Sequence, residues 1–383
     1  MLSGRSVLLA SNYNVWREPF NGQSQSFLSV IEGVETADLL APAGAEYLSG
    51  HAVRPSVRYL AREFSHRVAS QARMRMGQPG LSNMIATSVD KNYDLFFFCC
   101  QFPHELAALN RMRGWRKRTG WAAAYILESW SWSLAQSRAN LRLLDQFDHV
   151  FVLNTQSIPE LRKYTWTPIS HLPPATDMML ATPMPAPPRR SIDVYSFGRR
   201  SGPLHRQLLQ VSSNSPDFNY VYDSIQGGKV PNWLDHRCLT ASQMKRARFF
   251  IAFNPADLGA GGAGKARRED ALSTRYFEGA AGGAVMLGSR PQCSDFDEHF
   301  DWPDAVIPLA PNGDIVGFLE DLTPQQDRLR TVSHRNVVET LRRHDWSHRW
   351  RQILAQVGLD GTPALEERQG ELQRLSDLDY SWT

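Results

Sequence analysis

The stretch YDLFFFCC, residues Tyr93–Cys100, is apolar over its last six positions. Continuous apolar character, rather than alternation, is typical of a parallel strand that is covered on both faces. Segments with helical spacing separate this run from others of its kind, so the first half of the chain predicts a doubly wound α/β sheet. No G-x-G-x-x-G follows the first expected strand of the chain, Ser6–Ala10, which argues against a dinucleotide site. The other runs are SVLLA at Ser6–Ala10, WAAAYIL at Trp121–Leu127 and FDHVFVL at Phe147–Leu153.

A second series of strands and helices follows a proline-rich segment. Prolines as dense as those between residues 173 and 188 continue neither a helix nor a sheet, so a domain boundary is expected here. We predict two Rossmann-like domains, residues 1–175 and 176–345, facing a central cleft. A helical segment, 346–383, is then expected to cross back to the first domain, with a break near residues 358–363. The strands expected in the second domain are 192–197, 218–222, 248–253, 284–287 and 305–309, and the helices are 203–211, 241–247, 273–281, 315–322 and 331–343.

Composition excludes several classes of protein. The chain has 383 residues and a formal net charge of +3, which is too balanced for a dedicated nucleic-acid binder. No apolar run is long enough to span a bilayer, and the N-terminus does not resemble a signal peptide, so a cytoplasmic protein is expected. The four cysteines form no CxxC pair, which argues against a zinc knuckle or a disulfide framework.

The stretch STRYFEGAAGGAVML, Ser273–Leu287, is the strongest candidate for a binding site. Thr274, or Ser273 beside it, can cap a helix whose first turns carry Arg275 and Glu278 on one face. A helix N-terminus together with a guanidinium suits a phosphate or diphosphate, and a carboxylate suits the vicinal hydroxyls of a ribose. The alternative is an ion pair between these two side chains on a solvated helix.

The string from Arg275 to Gly282 resembles the donor-site signature of GT-B glycosyltransferases, in particular the group-1-like branch that includes spore-maturation glycosyltransferases. Three other segments, in the order that the family has them, are similar to its first donor-domain strand and glycine turn, its interdomain linker and its closing segment. These segments are DVYSFGR at Asp193–Arg199, LPPATD at Leu172–Asp177 and HDWSHR at His344–Arg349.

The resemblance implies a GT-B transferase that moves a sugar from a UDP-, GDP- or dTDP-sugar to an unidentified acceptor, with no further cofactor and no metal. The donor is expected on the second domain and the acceptor on the first. Glu278 is implied to bind the ribose and Arg275 the diphosphate. Gly198 and Arg199 are implied to approach the phosphates, with Arg200 as a neighbouring candidate.

Further donor-site candidates rest on the expected topology. Tyr222, at the end of the second strand of this domain, is expected near the base, and Asn254, after the third, is expected to face the cleft. Both also suit a purely structural role. Asp270 stands where many retaining members of the family carry a glutamate, and this departure leaves retention or inversion open.

A catalytic base, if the enzyme inverts, is expected after a strand of the first domain. Glu128 directly follows Trp121–Leu127, and Trp130 and Trp132 beside it suit stacking on a sugar face. The alternative is a capping glutamate with two core tryptophans. His104, after the strand Leu95–Cys100, is the other candidate base, and its alternative is a helix N-terminal residue.

Two rival functions remain. GAGGAGK, Gly259–Lys265, matches a P-loop except that Ala266 replaces the Ser or Thr that coordinates Mg²⁺, so a nucleotide-binding ATPase is one rival. A non-catalytic GT-B-fold binding protein is the other. His344 and His348 are spaced like metal ligands, but no third ligand is identifiable, so a capping or packing role is favoured.

Arginines are dense in two parts of the first domain, Arg54–Arg75 and Arg111–Arg118. They suit peripheral contact with an anionic membrane surface or with a lipid-linked acceptor. The alternative is a solvated helix face.

Overall fold

The computed structural model describes residues 5–44, 57–224, 228–254, 256–258 and 269–378. The chain divides into two compact units, of which the first holds residues 1–173 and 229–231 and the second holds the remainder. The division falls inside LPPATD, two residues before the expected boundary. Whether the C-terminal segment crosses back to the first domain stays a prediction.

The first unit is built on a six-stranded sheet in which every neighbouring pair is parallel, in the order β2-β1-β4-β6-β7-β8. Two further short strands, β3 and β5, pair by themselves. The strands are β1 Val7–Ser11, β2 Ala37–Leu40, β3 Thr87–Ser88, β4 Tyr93–Cys100, β5 Met112–Arg113, β6 Thr119–Ile126, β7 His149–Val152 and β8 Ile169–His171.

The helices of the first unit are mostly short. Segment 104–113 is a 3₁₀ helix followed by β5, and segment 135–146 consists of two 3₁₀ turns on either side of a four-residue α-helix. The α-helices are α1 Tyr13–Trp16, α2 Gly22–Val34, α3 Val57–Arg75, α4 Ser131–Leu134, α5 Arg138–Leu141 and α6 Ile158–Leu161. The 3₁₀ helices are Pro19–Asn21, Pro103–Arg111, Trp115–Arg118, Ala135–Ser137, Arg142–Gln146 and Thr155–Ser157.

The second unit is built on a five-stranded parallel sheet, in the order β10-β9-β11-β12-β13. Its strands are β9 Ile192–Ser196, β10 Tyr220–Tyr222, β11 Ala247–Ala252, β12 Val285–Gly288 and β13 Ile307–Pro308. Its helices are α7 Met178–Ala181, α8 Gly202–Asn214, α9 Trp233–Arg246, α10 Thr274–Ala281, α11 Ser294–His299, α12 Ile315–Leu322, α13 Gln326–Arg343, α14 Trp346–Gln356 and α15 Pro363–Ser376, with a 3₁₀ turn at Ala256–Leu258.

The two units therefore confirm the predicted doubly wound α/β architecture. In each sheet the strand order reverses between two central strands, β1 and β4 in the first unit and β9 and β11 in the second. Ligands of open α/β sheets bind beyond the carboxyl ends of the strands at such a reversal. Within the described residues, no helix is both long enough and apolar enough to cross a membrane.

Candidate functional site

The turn after β9 brings a backbone amide and a guanidinium together at the strand reversal of the second sheet. Gly198 has a φ of +69°, a conformation that suits glycine, and a Cβ placed there would lie 3.4 Å from Nη2 of Arg275. The Nη1 group of Arg275 also lies 3.5 Å from the carbonyl oxygen of Arg199. The structure thus places Arg275 of α10 against the predicted glycine turn.

Arg275 is a half-buried cation without a carboxylate partner among the described salt bridges. Burial lowers the pKa of Arg275, since the charged form is removed from water. A desolvated guanidinium next to the N-terminus of a helix attracts an anion. The arrangement is therefore suited to a phosphate group.

The start of α10 also carries hydroxyls that its own helix does not use. Ser273 occupies the N-cap position, but its side chain makes no capping hydrogen bond. The hydroxyls of Ser273 and Thr274 are both buried, and neither has a hydrogen-bond partner in the part of the chain that the structure describes. The expected cap is therefore not formed, and two polar groups remain available at the end where an anion is favoured.

Glu278 pairs with an arginine that the sequence did not suggest. Its Oε1 accepts a hydrogen bond of 2.7 Å from Nη1 of Arg237, on α9, and both side chains are only 12–13% exposed. The alternative of a solvated ion pair between Arg275 and Glu278 is therefore wrong. Arg237 was missed because α9 was expected to begin at residue 241, although Asn232 is a good N-cap residue and caps the helix.

Arg200 pairs with a neighbouring acidic residue, Asp223. Its Nη2 donates to the carbonyl oxygen of Asp223 at 2.6 Å, and its Nη1 lies 3.3 Å from the Asp223 carboxylate. The same carboxylate accepts a 3.0 Å hydrogen bond from the backbone N–H of Gly198. The guanidinium lies 5.2 Å from the ring centre of Tyr222, which is 36% exposed. Tyr222 thus presents an aromatic surface beside the turn.

Asn254, at the end of β11, is fully buried and anchors a small polar cluster. Its Nδ2 donates to Oδ1 of Asp270 at 2.6 Å, while Oδ2 of Asp270 accepts from the backbone of Gln292 at 2.7 Å. Burial raises the pKa of Asp270, although these hydrogen bonds oppose the shift. The Oδ1 atom of Asn254 has no hydrogen-bond partner. Asp270 is thus held in place by the protein itself.

The first unit gathers two carboxylates at its own strand reversal. The side chain of Gln101, directly after β4, donates to Oε1 of Glu128 at 2.8 Å, and its backbone N–H donates to Oε2 of Glu105 at 2.8 Å. Burial raises the pKa of Glu105 to about 7. Sequence reasoning missed Glu105 because no motif or spacing distinguishes it within the short segment PHEL, residues 103–106.

The predicted aromatic residues lie around this pair. The indole N–H of Trp130 lies 3.3 Å from Oε2 of Glu128, and Trp132 is 41% exposed. The alternative that both tryptophans belong to the core is wrong for Trp132. His104 is exposed and stacks on Phe102, with ring centroids 5.5 Å apart. No described hydrogen bond joins the His104 ring to either carboxylate.

The remaining predicted motifs are accounted for differently. His344 is buried, with Nε2 2.8 Å from the carbonyl oxygen of His299 and Nδ1 3.1 Å from a guanidinium nitrogen of Arg349, so it serves packing. Burial lowers the pKa of His344 well below its ordinary value, which favours the neutral ring. The glycine-rich stretch Gly259–Lys265, with Ala266, lies outside the described residues.

Comparison with known proteins supplies a family for part of the chain. Residues 205–355 match a family described as "Glycosyl transferase-like". This segment contains Arg237, Arg275 and Glu278. No curated protein matches the chain. The match confirms the prediction of a glycosyltransferase for the unit that carries the candidate site.

Solved structures share the fold over nearly the whole chain. Anabaena HepE in complex with UDP and glucose is 12% identical, with 93% of this chain and 99% of that chain covered and a TM-score of 0.51. An α-glucosyltransferase in complex with UDP and a 13-mer DNA is 8% identical, with 92% and 100% covered and a TM-score of 0.51. These similarities confirm the predicted GT-B fold.

Proposed function

We propose that this glycosyl transferase-like chain of GT-B fold moves a sugar from a nucleoside-diphosphate donor, held by the second unit, to a hydroxylated acceptor. The half-buried guanidinium of Arg275 carries the proposal. It lies between the Gly198 turn and the N-terminus of α10, and it forms no salt bridge with a carboxylate of the described residues. A diphosphate supplies the missing negative charge.

The charges around the turn are divided between internal partners and the ligand. Arg200 is paired with Asp223, and Arg237 with Glu278, so these cations are already compensated. Arg275 and the exposed Arg199 have no described acidic partner, and they are the two cations that a diphosphate meets. The donor-site roles of Gly198, Arg199 and Arg275 are thus assigned to the phosphates, whereas Arg200 acts by shaping the turn.

The rest of the nucleotide sugar is assigned from the polar groups that remain. Glu278 receives the ribose hydroxyls, since a carboxylate accepts from two vicinal donors. The exposed ring of Tyr222 receives the base by stacking. The buried, unpartnered oxygens of Thr274 and Asn254 face the phosphate and the sugar.

Uracil is the base that we infer. HepE binds UDP and glucose, and the α-glucosyltransferase binds UDP, in the crystal structures that share this fold. We assign no residue to the hydrogen-bonding edges of the base. GDP and dTDP are therefore tested beside UDP.

The acceptor site is assigned to the strand reversal of the first unit. Glu128 is the base that we propose, because Gln101 and Trp130 hold both of its carboxylate oxygens. Trp132 offers an exposed aromatic face for a sugar ring. His104 is not favoured as a base because its ring contacts Phe102 rather than a carboxylate.

Contact with an anionic membrane or a lipid-linked acceptor stays a prediction. On α3, Phe64 and Val68 are 69% and 50% exposed on either side of Arg67, as a surface-binding helix requires. The second arginine cluster instead serves the fold, since Arg116 pairs with Asp148 and Arg111 donates to the carbonyl oxygen of Met84.

The proposal is tested by thermal unfolding with UDP, GDP, dTDP, CMP, ADP and ATP, each with and without Mg²⁺. At about 100 times its dissociation constant, the correct ligand stabilises the protein by roughly 2.7 kcal/mol. We expect UDP to do so in the wild type and in Glu128→Gln, but far less in Glu278→Ala and Arg275→Ala. Glu128→Gln is the matched control, because it alters a carboxylate of the other unit.

Two outcomes contradict the proposal. If only ATP with Mg²⁺ stabilises the protein, and Glu278→Ala changes nothing, the ATPase alternative is correct. If UDP binds but the wild type neither hydrolyses the UDP-sugar nor transfers its sugar to any acceptor tested, the non-catalytic alternative is correct.

A further inference from the structure

Arg237 lies at a place in the second unit to which no role has been assigned. It sits in the second turn of α9, whose start is fixed by Asn232, with Oδ1 accepting from the backbone N–H groups of Leu234 and Asp235 at 2.9 and 3.3 Å. From there its guanidinium reaches Oε1 of Glu278, 41 residues away, at 2.7 Å.

The pair is largely buried, and its hydrogen bond uses only one oxygen of the Glu278 carboxylate. The guanidinium of Arg237 supplies a cation and a charge-assisted hydrogen bond to Glu278, whose side chain is only 12% exposed. The bond occupies Oε1, so the orientation of the second oxygen, Oε2, is fixed as well. The Nε–H group of Arg237 is buried, and it has no hydrogen-bond partner among the described residues. An unpaired buried donor is unfavourable, so hydrogen bonding within the protein does not fully account for an arginine here.

A buried aromatic side chain lies close to the pair. The ring of Tyr195, on β9, is buried beside it, and burial raises the pKa of Tyr195, with Glu278 and Asp223 adding to the shift. Arg275, only three residues from Glu278, contacts the turn at Arg199 instead. Two arginines thus serve two different parts of one ligand.

We propose that Arg237 is a positioning residue for ribose recognition: it holds the Glu278 side chain in one orientation, so that the carboxylate accepts a hydrogen bond from the ribose 2′-hydroxyl. This inference rests on the proposed function. It makes the preference for a ribonucleotide over a 2′-deoxyribonucleotide depend on a side chain that does not touch the ligand.

The test compares the dissociation constants of UDP, 2′-deoxy-UDP and uridine by calorimetry. A hydrogen bond to a charged group corresponds to a preference of about tenfold or more for UDP over 2′-deoxy-UDP in the wild type. We expect this preference to fall close to one in Glu278→Ala and to drop several-fold in Arg237→Gln. The preference for UDP over uridine, which reports the diphosphate, should persist in Arg237→Gln.

Controls separate positioning from general damage to the fold. Arg246→Gln removes a guanidinium from the same helix that bonds only within its own turn, at Ser242, and should leave both preferences unchanged. Arg237→Met keeps an unbranched apolar side chain but removes the charge and the hydrogen-bond donors. It should reproduce Arg237→Gln, and it decides the matter if Arg237→Gln does not fold.

The outcomes distinguish this inference from the function on which it rests. Wild-type protein that binds none of the nucleoside diphosphates overturns both. Wild-type protein that binds UDP but does not discriminate against 2′-deoxy-UDP overturns this inference alone. So does an Arg237→Gln or Arg237→Met variant that keeps the full wild-type preference.

Discussion

At the scale of single residues, Glu105 is a buried carboxylate whose surroundings make the stability of the protein depend on pH. It is 5% exposed, and its Oε2 accepts from the backbone N–H groups of Gln101 and Phe102 at 2.8 and 3.4 Å. These bonds favour the ionised form, but burial outweighs them and raises the pKa to about 7. The native protein therefore binds a proton here that the unfolded chain releases at a lower pH.

We predict that Glu105→Gln removes part of the pH dependence of stability. Between the unfolded pKa, about 4.5, and the native value, about 7, the native state binds more protons than the unfolded state, so the free energy of unfolding falls as pH rises. The loss from this one group reaches about 3 kcal/mol above pH 7. Glutamine mimics the neutral acid, so the variant should lose that slope.

Urea unfolding of the wild type and the variant at pH 5, 6, 7 and 8 measures the effect. Glu298→Gln, which changes an exposed carboxylate, is the control and should follow the wild type. Parallel slopes for the wild type and Glu105→Gln would show that Glu105 ionises normally in the native state.

At the scale of elements, the approach of β11 and β12 depends on a glycine. Gly288, the last residue of β12, has a φ of 157°, and a Cβ placed there would lie 1.8 Å from the carbonyl oxygen of Ala252. We predict that Gly288→Ala forces the two strands apart and lowers the free energy of unfolding by roughly 3 kcal/mol. Because the backbone of Ser289 accepts a hydrogen bond from Tyr276 of α10, nucleotide binding should weaken too.

A glycine of the first unit provides the matched control. Gly33, in the last turn of α2, is exposed, and a Cβ there would meet no atom within 4 Å. Gly33→Ala should therefore stabilise the protein by up to about 1 kcal/mol. Chemical unfolding of both variants gives the comparison, and a Gly288→Ala protein as stable as the wild type would contradict the close approach.

The elements that sequence patterns located correctly are those with strong apolar periodicity. The runs at Tyr93–Cys100 and Trp121–Leu127 are β4 and β6, and the stretch at Ser273 gives α10 with Arg275 and Glu278 near its start. The break expected near residues 358–363 also separates α14 from α15, where Gly358 has a φ of +70° and Pro363 begins the next helix.

Other elements and contacts have no such signal. β2, Ala37–Leu40, is only partly buried, so its apolar character is weak. The first half of α9 lacks helical apolar spacing, so the sequence did not indicate that Arg237 lies on a helix. The pair of Arg237 with Glu278 arises only when two distant helices meet, and local periodicity carries no information about that meeting.

At the scale of the whole molecule, an ion cluster joins the beginning of the second unit to its last helix, α15. Arg368, on α15, donates through Nε to Oδ1 of Asp345 at 2.9 Å and through Nη2 to Oδ2 at 2.7 Å. The same Nη2 reaches Asp177, at the start of the unit, at 2.7 Å. Burial opposes the ionisation of Asp345, yet Arg368 holds the pKa of Asp345 below its ordinary value.

We predict that Arg368→Ala lowers the free energy of unfolding by about 3–5 kcal/mol, because it leaves the fully buried Asp345 carboxylate without its cation. Arg374→Ala, on the same helix, breaks an exposed pair with Glu371 and should cost well under about 1 kcal/mol. Denaturant unfolding followed by fluorescence measures both. Equal stabilities of the two variants would mean that α15 contributes to the second unit through its apolar packing on α13, and that the ion cluster joining residues 177, 345 and 368 is dispensable.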